Sequence, residues 1–412
     1  MSRRDGRLAR RGRAALAHAA GAGGDAGAVV SGPLRVLIVG AGLAGAAVAA
    51  GLRDAGAEVE WLELRDGDAA DAGAGILLTG NAFAALDRLG AGDRVRAVGR
   101  PVARVRFSDH RHRELFHVDV AGRRPAWPDF ASVHRAALRR ALLDAAAPLR
   151  PRCGVSVERL DTQGERAGAL LSDGSRAQYD LVIGADGVQS RVRALVFGAP
   201  APAPIAGFAG WRFVARRPRG LDDPLYMLGD GRTLLLHPLP GDAVYCGAGP
   251  ADVALPLAQG DPPHAQLRAL FADFEGPARE VIDGVGEATA LVPSRYWNVA
   301  QEPWHRGRCV LIGDAAHASA PTLAQGGAMA FEDAAVLCDA LAAGDGVAPA
   351  LARFEARRRP RTGFVQRESL ARMEANRRLG PERLARRNAI LRRVGADRLA
   401  AVWGTLMEQS PW

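Results

Sequence analysis

Apolar positions change their spacing several times along the chain, and each change marks an element. Val36-Leu37-Ile38-Val39 is an unbroken apolar run, short enough for a buried strand. An Ala-rich run from Ala46 to Leu52 follows, built of strong helix formers. Glu58 to Leu62 predicts a second strand. Ile76 to Leu89 reads as a turn and then a helix, because Ala82, Ala85, Leu86 and Leu89 fall at helical spacing. Val102, Val105 and Phe107, then Leu115, Phe116 and Val118, predict two antiparallel strands. Ser132 to Leu143 predicts a helix with His134 and Arg135 in its first turn. Leu170 to Ile183 holds a hairpin turning at Asp173-Gly174, and then a buried strand from Tyr179 to Ile183.

From Phe208 to Gly249 short strand-like runs take over: Gly210 to Ala215, Leu225 to Leu228, Thr233 to His237 and Ala243 to Gly247. Gly-Asp and Asp-Gly turns at 229–231 and 241–242 separate them. Leu267 to Phe274 predicts a helix, and Val310-Leu311-Ile312 another buried strand. A helix follows from Ala328 to Leu341, and Leu351 to about Gly404 is helical and rich in Arg. These runs predict an α/β fold: a Rossmann-like domain with an inserted, mostly antiparallel sheet, closed by C-terminal helices.

At 412 residues, 48% hydrophobic and 24% charged, the chain can bury a large core in two closely joined domains. All 54 of its basic residues are Arg. The net charge of +9 is unevenly placed: residues 1–14 carry +5, residues 353–398 carry +10, and the rest of the chain is therefore net −6. No aromatic residues interleave with the basic ones, so no nucleic-acid partner is expected. The most apolar uncharged run, Val36 to Leu52, is too short and Gly-rich for a membrane span, and no membrane contact is expected. Cys153, Cys246, Cys309 and Cys338 form no C-x-x-C pair and read as thiols of a reducing, cytoplasmic compartment. No metal is expected. Residues 1–32 mix Arg with Ala and Gly and read as a disordered extension; Ser2-Arg3-Arg4 is followed by too weakly apolar a run for a good export signal.

Candidate chemistry begins where the first strand ends. Gly40, Gly42 and Gly45 follow it with G-x-G-x-x-G spacing, Leu43 and Ala44 lie between them, and the acidic Glu63 stands 18 residues after Gly45. Strand, turn, helix and acid together are a site for the ADP half of a dinucleotide. Gly40 permits the tight turn, Gly42 lets a pyrophosphate approach the backbone, and Gly45 lets helix and strand pack. The helix N-terminus offers free N–H groups and a partial positive charge. A carboxylate at Glu63 accepts ribose hydroxyls and repels a 2′-phosphate, so NAD or FAD fits here and NADP does not.

Two further motifs follow in order: Asp186-Gly187-Val188-Gln189-Ser190-Arg191-Val192-Arg193, and Gly313-Asp314-Ala315-Ala316-His317 with Pro321 and Gln325-Gly326-Gly327. Together with the glycine loop, this order closely resembles the class A FAD-dependent aromatic monooxygenases of the para-hydroxybenzoate hydroxylase fold, over about residues 34 to 370. The resemblance implies FAD as cofactor and NAD(P)H as co-substrate. It places Asp314 on the ribityl chain, Pro321 beside the isoalloxazine ring, and the backbone at Gly326, Gly327 and Ala328 against the flavin pyrimidine. It carries Arg135 to the flavin linker, puts Arg65 after the ribose-binding acid, and links Asp186 to both FAD and NAD(P)H. It makes Ser190 and Arg193 loop-holding residues and His317 a structural one.

The expected organisation is FAD-binding segments at 33–100, 130–200 and 290–345, substrate-domain segments at 101–129 and 201–289, and a helical segment at 346–412. The resemblance implies a small aromatic or polyene substrate and O2 as partners, with hydroxylation or epoxidation through a flavin C4a-hydroperoxide. No second nucleotide loop exists in the sequence, so NAD(P)H must bind transiently. No catalytic side chain is assigned. Some relatives supply a His after the segment matching Gly73-Ala74-Gly75-Ile76; here Leu77 stands in that place, which suits an apolar substrate. Trp211, Phe213, Met227, His237 and Tyr245 are candidates for the substrate pocket, and each serves equally well as sheet packing. A flavin oxidase or dehydrogenase, or a non-oxygenating FAD-binding redox sensor, fits the same motifs. Monomer and homodimer stay open.

Overall fold

Three apolar strands, Arg35–Val39, Leu181–Gly184 and Cys309–Leu311, are buried almost throughout and form the centre of a parallel sheet. In the computed structural model, which describes residues 33–65, 74–250 and 262–412, Cys309–Leu311, Leu181–Gly184, Arg35–Val39, Glu58–Glu63 and Arg152–Cys153 lie side by side in that order. His305–Arg306 adds an antiparallel edge. The helices Leu43–Leu52 and Gly326–Ala342 pack against each other beside this sheet, and both are buried nearly all round. The expected extension at 1–32 and most of the Gly67–Gly75 loop lie outside the described residues.

A second sheet has seven strands, in the order Val292–Trp297, Pro204–Arg216, Ala243–Pro250, Arg232–Pro238, Leu225–Leu228, Arg104–Asp109 and Glu114–Asp119. All its pairings are antiparallel except Leu225–Leu228 with Arg104–Asp109. One face packs Trp211, Phe213, Met227, Leu234 and Leu236 in a core shared with the helices Pro263–Leu270 and Pro277–Gly284. Those two short helices replace the single one expected over 267–274. The helix expected from Ser132 begins at Arg135 instead, because Ala131–His134 pairs between Gly75–Leu78 and Gly99–Pro101 as a strand. The C-terminal segment is two helices, Val347–Glu374 and Pro381–Glu408. They part at Gly380, whose φ of +78° and following Pro stop a continuous run. Among the described residues no helix is long and apolar enough to cross a membrane.

Where Gly326–Ala342 meets Val347–Glu374, charged groups are buried together. The side chains of Glu332, Asp333 and Arg358 have no solvent exposure. Arg358 donates from Nε to Asp333 Oδ1 at 2.7 Å and from Nη1 to Glu332. Arg361 closes on Glu332 with bonds of 2.6 and 2.8 Å. Asp333 Oδ2 also accepts the Gly313 N–H at 2.8 Å and lies 2.5 Å from His317 Nε2. Burial alone would raise the Asp333 pKa; His317 and Arg358 outweigh it and hold the carboxyl below its ordinary range.

Replacing Arg358 with Met leaves two buried carboxylates with Arg361 as their only guanidinium, which should cost about 3–5 kcal/mol and lower the urea midpoint. The sign of the pH effect follows from the depressed Asp333. Its contribution is present above its unfolded value near about pH 4 and is lost as pH falls through the lower folded value. Arg358→Met should therefore begin acid unfolding at a higher pH than the parent. Superimposable acid limbs of parent and variant would contradict this account of the network.

Candidate active site

The strand Arg35–Val39 delivers Gly40 at φ +103°, a conformation that favours glycine. Its N–H donates to Leu62 O at 2.8 Å, and Trp61 Nε1 donates to its carbonyl at 3.0 Å. A Cβ on Gly40 would lie 2.5 Å from Ala185 O, and one on Gly45 would lie 1.9 Å from Gly40 O. Strand, turn and helix are therefore packed backbone to backbone. A Cβ on Gly42 would meet nothing within 4 Å, so that side of the turn faces open space. The helix Leu43–Leu52 has neither a side-chain cap nor an acid in its first turn, so its leading N–H groups are left to an anion from outside. These features fit the diphosphate of a dinucleotide. Glu63 reaches back to the turn, accepting the Ala41 N–H at 2.7 Å and the Arg65 N–H at 3.0 Å. The Arg65 side chain is exposed.

A second arm comes from Cys309–Leu311, which runs into Gly313 at φ +60° and the short helix Asp314–His317. Asp314 borders a cleft that begins at Gly42, Leu43 and Ala44. Arg135, Pro321, Gly326 and Gly327 border the same cleft, whose volume is about 300 Å³. Ala324 takes φ +57°, a strained state for a residue with a Cβ. It stands just before Gln325, where the chain turns into the helix that opens at Gly326. The helix starts two residues earlier than its apolar pattern predicts. Ala328 is buried one residue behind the cleft wall.

Asp186 is placed differently. Its carboxylate accepts Ser190 Oγ at 2.6 Å and the N–H groups of Arg191 and Val192 at 2.7 and 3.0 Å. It caps the helix Arg191–Phe197, while its neighbours Ala185, Gly187 and Val188 border the cleft. Ser190 caps the same helix through the Arg193 N–H, and the buried Arg193 donates to Ala315 O and Val188 O at 2.7 Å each. That guanidinium ties the second motif to the third.

The cleft continues into a larger cavity of about 540 Å³, and Arg212, Tyr226, Leu235, Tyr245, Tyr296 and Pro321 line both. Sheet register explains this wall. Phe116, Phe107, Tyr226, Leu235, Gly247 and Arg212 stand directly opposite one another across six strands, so they share one face. Phe107 stacks on Phe116 at 4.3 Å and on Tyr226 at 4.8 Å between ring centroids. Of the five pocket candidates, His237 and Tyr245 border the cleft and Trp211 borders the larger cavity. Phe213 and Met227 do not. Strand alternation turns both to the opposite face, where they are fully buried in the core. Their neighbours Arg212 and Tyr226 hold the positions that face the cavity. Burial raises the Tyr226, Tyr245 and Tyr296 phenols, so all three stay protonated as donors.

Sequence reasoning missed two groups. Arg139 donates from Nε to Ala41 O at 3.0 Å, bracing the glycine turn from the helix Arg135–Ala145. The C-terminal helices, which the sequence offers only as a helical, Arg-rich segment, border the larger cavity. Arg372 comes from the first, Asn376 from the connection just after it, and Leu391, Gly395 and Val402 from the second. The last three lie at i, i+4 and i+11, a helical stripe that was available in the sequence. Trp403 Nε1 donates to Leu323 O at 3.2 Å and Thr322 Oγ1 to Ser369 O at 2.8 Å, which fastens these helices to the Pro321–Gln325 turn.

The family model described as FAD binding domain matches residues 33–219 and 284–369. The chain is 32% identical over 347 residues to 2-heptyl-3-hydroxy-4(1H)-quinolone synthase of Pseudomonas aeruginosa, covering 82% of this chain and 88% of that protein. It is 33% identical over 361 residues to 3-amino-4-hydroxybenzoate 2-monooxygenase of Streptomyces cremeus, covering 82% and 86%. The crystal structure of Klebsiella pneumoniae HpxO complexed with FAD and uric acid superposes with a TM-score of 0.80 at 25% identity, covering 91% of this chain and 97% of that one. Glycine turn, open Gly42 face, uncapped helix and Asp314 arm thus sit in a chain that matches these proteins over most of its length, and the protein belongs to the FAD-dependent aromatic monooxygenases.

Proposed function

We propose that this enzyme is a single-component, NAD(P)H-consuming monooxygenase that inserts one atom of O2 into an electron-rich aromatic small molecule. The observation that carries this reading is the continuity of the two cavities: a wall shared at Tyr226, Tyr245, Tyr296 and Pro321 joins the cofactor cleft to an aromatic-lined pocket. The bound flavin, once reduced by a nicotinamide, supplies the O2 activation and the oxygen-atom transfer. The protein's own tasks are to bind, orient and keep water out. The Gly40–Gly45 turn and the helix behind it hold the pyrophosphate, with Arg139 bracing the turn. Glu63 serves the adenosine ribose and Asp314 the ribityl chain. The N–H groups at Gly326, Gly327 and Ala328 stabilise negative charge on the flavin pyrimidine without a side chain. Asp186 acts indirectly, by shaping the loop that carries Gly187 and Val188.

The stacked Tyr226–Phe107–Phe116 row and the two C-terminal helices wall the pocket on two sides and limit its contact with water. Its volume falls in the ordinary range for small-molecule sites, roughly 300–1,000 Å³, with space for a ring system larger than a single benzoate. The quinolone of the P. aeruginosa relative's name is the better guide to substrate size. Leu77, buried at the cleft wall, keeps that side apolar.

A panel of bicyclic aromatics should contain a compound that speeds NAD(P)H oxidation and gains one ¹⁸O atom from ¹⁸O2. NAD(P)H oxidation that no panel member accelerates, with all reducing equivalents recovered as hydrogen peroxide, would favour an oxidase. Gly42→Val should fold like the FAD-free parent, because its Cβ meets no protein atom, yet purify colourless. A yellow Gly42→Val protein would remove the pyrophosphate from that turn. Asp314→Ala removes a charge-assisted hydrogen bond worth about 1.5–3 kcal/mol, so its FAD Kd, measured by flavin fluorescence, should rise at least roughly tenfold.

A further inference from the structure

Next to last in the strand Arg232–Pro238, His237 borders the cleft, 3% exposed. Its ring sits between two phenols, with centroids 5.2 Å from Tyr226 and 5.9 Å from Tyr245 in edge-on contact. Neither Nδ1 nor Nε2 has a hydrogen-bond partner among the described residues. An unmet buried polar atom is costly, and such a cost persists where a ligand meets it. Other polar side chains on this face of the sheet include the Arg212 guanidinium, a donor only, and the Tyr226, Tyr245 and Tyr296 hydroxyls, which donate as well as accept. Burial drives the His237 pKa down to about 3, so its imidazole is neutral and keeps one bare nitrogen.

We propose that His237 is the substrate-selecting contact of this pocket, its bare ring nitrogen accepting a hydrogen bond from a ring N–H or O–H of the aromatic substrate. The inference rests on the aromatic-monooxygenase reading above and adds to it a chemical class: a flat ring with a donor at its polar end. Selection follows from the surroundings. A ring without a donor leaves the imidazole nitrogen buried and unpaired, and a site built to bond a polar group rejects analogues that lack it far more strongly than an apolar pocket can. His237 takes no proton in this scheme. It fixes which edge of the ring is held.

The test uses FAD-loaded enzyme and two matched pairs of probes: 4(1H)-quinolone with its N-methyl derivative, and 1-naphthol with 1-methoxynaphthalene. Binding is followed through the flavin absorbance change. Wild type should prefer at least one donor-bearing probe over its methylated partner by tenfold or more. His237→Leu should abolish that preference, and His237→Gln, which keeps an acceptor, should restore part of it. FAD content equal to the parent's certifies each variant; should His237→Leu fail that check, His237→Phe takes its place. A wild type without preference, or an apolar variant that retains it, overturns the inference while leaving the aromatic reading intact. A wild type whose flavin spectrum none of the four probes changes overturns the aromatic reading itself, and the inference with it.

Discussion

Everything near the cleft hangs on the buried charges at Glu332, Asp333 and Arg358. A buried ion group of this kind is a poor source of net stability, because desolvation consumes most of what attraction returns. Its value is geometric. Asp333 holds the Gly313 N–H and His317, and so fixes the turn that presents Asp314. Glu332 accepts from Asn81 Nδ2 at 2.7 Å, and the same amide donates to Gln325 Oε1 at 2.9 Å. Gln325 in turn donates to Thr79 Oγ1 at 3.0 Å, which sets the residue that opens the Gly326 helix. Arg358 and Arg361 bring the C-terminal segment to the same point. The Asp314 turn, the N-terminus of the Gly326 helix and the C-terminal helices are thereby referred to one cluster.

The pocket obeys a different rule, the two-residue period of a strand. A sheet with one face on its own core must show its other face to something, and here that face meets the cleft bordered by Gly42, Asp314 and Gly326. The row from Phe116 to Arg212 crosses six strands in register, running from stacked aromatics to a cation. Gly247 and Gly249 keep the middle of the wall open. A Cβ on Gly247 would lie 2.9 Å from Leu235, and one on Gly249 2.8 Å from the Tyr296 hydroxyl. Cavity shape is thus set as much by missing side chains as by those present.

The α/β architecture and the loops that border the cleft were legible in the sequence because their signals are local. A glycine triplet between an apolar strand and an Ala helix needs no distant partner to be read, and neither does Gly313-Asp314 after Val310. Asp186 shows the limit of motif reading. Its position was visible, but the three hydrogen bonds that turn its carboxylate into its own loop depend on conformation. The choice among Trp211, Arg212 and Phe213 was harder still. Both faces of that strand are covered, so neither alternation nor hydrophobicity says which parity meets the pocket. Arg212 and Tyr226 were hidden by that ambiguity, and Phe213 and Met227 were proposed in their place.

Charge misled for a related reason. The segment 353–398 looks like a basic tail at +10, against net −6 for the rest of the chain beyond residue 14. Folding brings the two signs together. Arg353 pairs with Asp345, Arg359 with Glu302 at 2.5 Å, and Arg358 and Arg361 with the buried carboxylates. At the far end Asp230 accepts the Leu379 N–H at 2.6 Å, and Arg387 donates to Gly229 O at 3.2 Å, so the loop between the two helices is held to the sheet. Net charge counted along a sequence cannot distinguish a surface awaiting a polyanion from a set of internal counterions. The distinction lies in where the opposite charge sits after folding. For these helices much of it sits on the main body of the fold, which keeps the roof seated over the pocket.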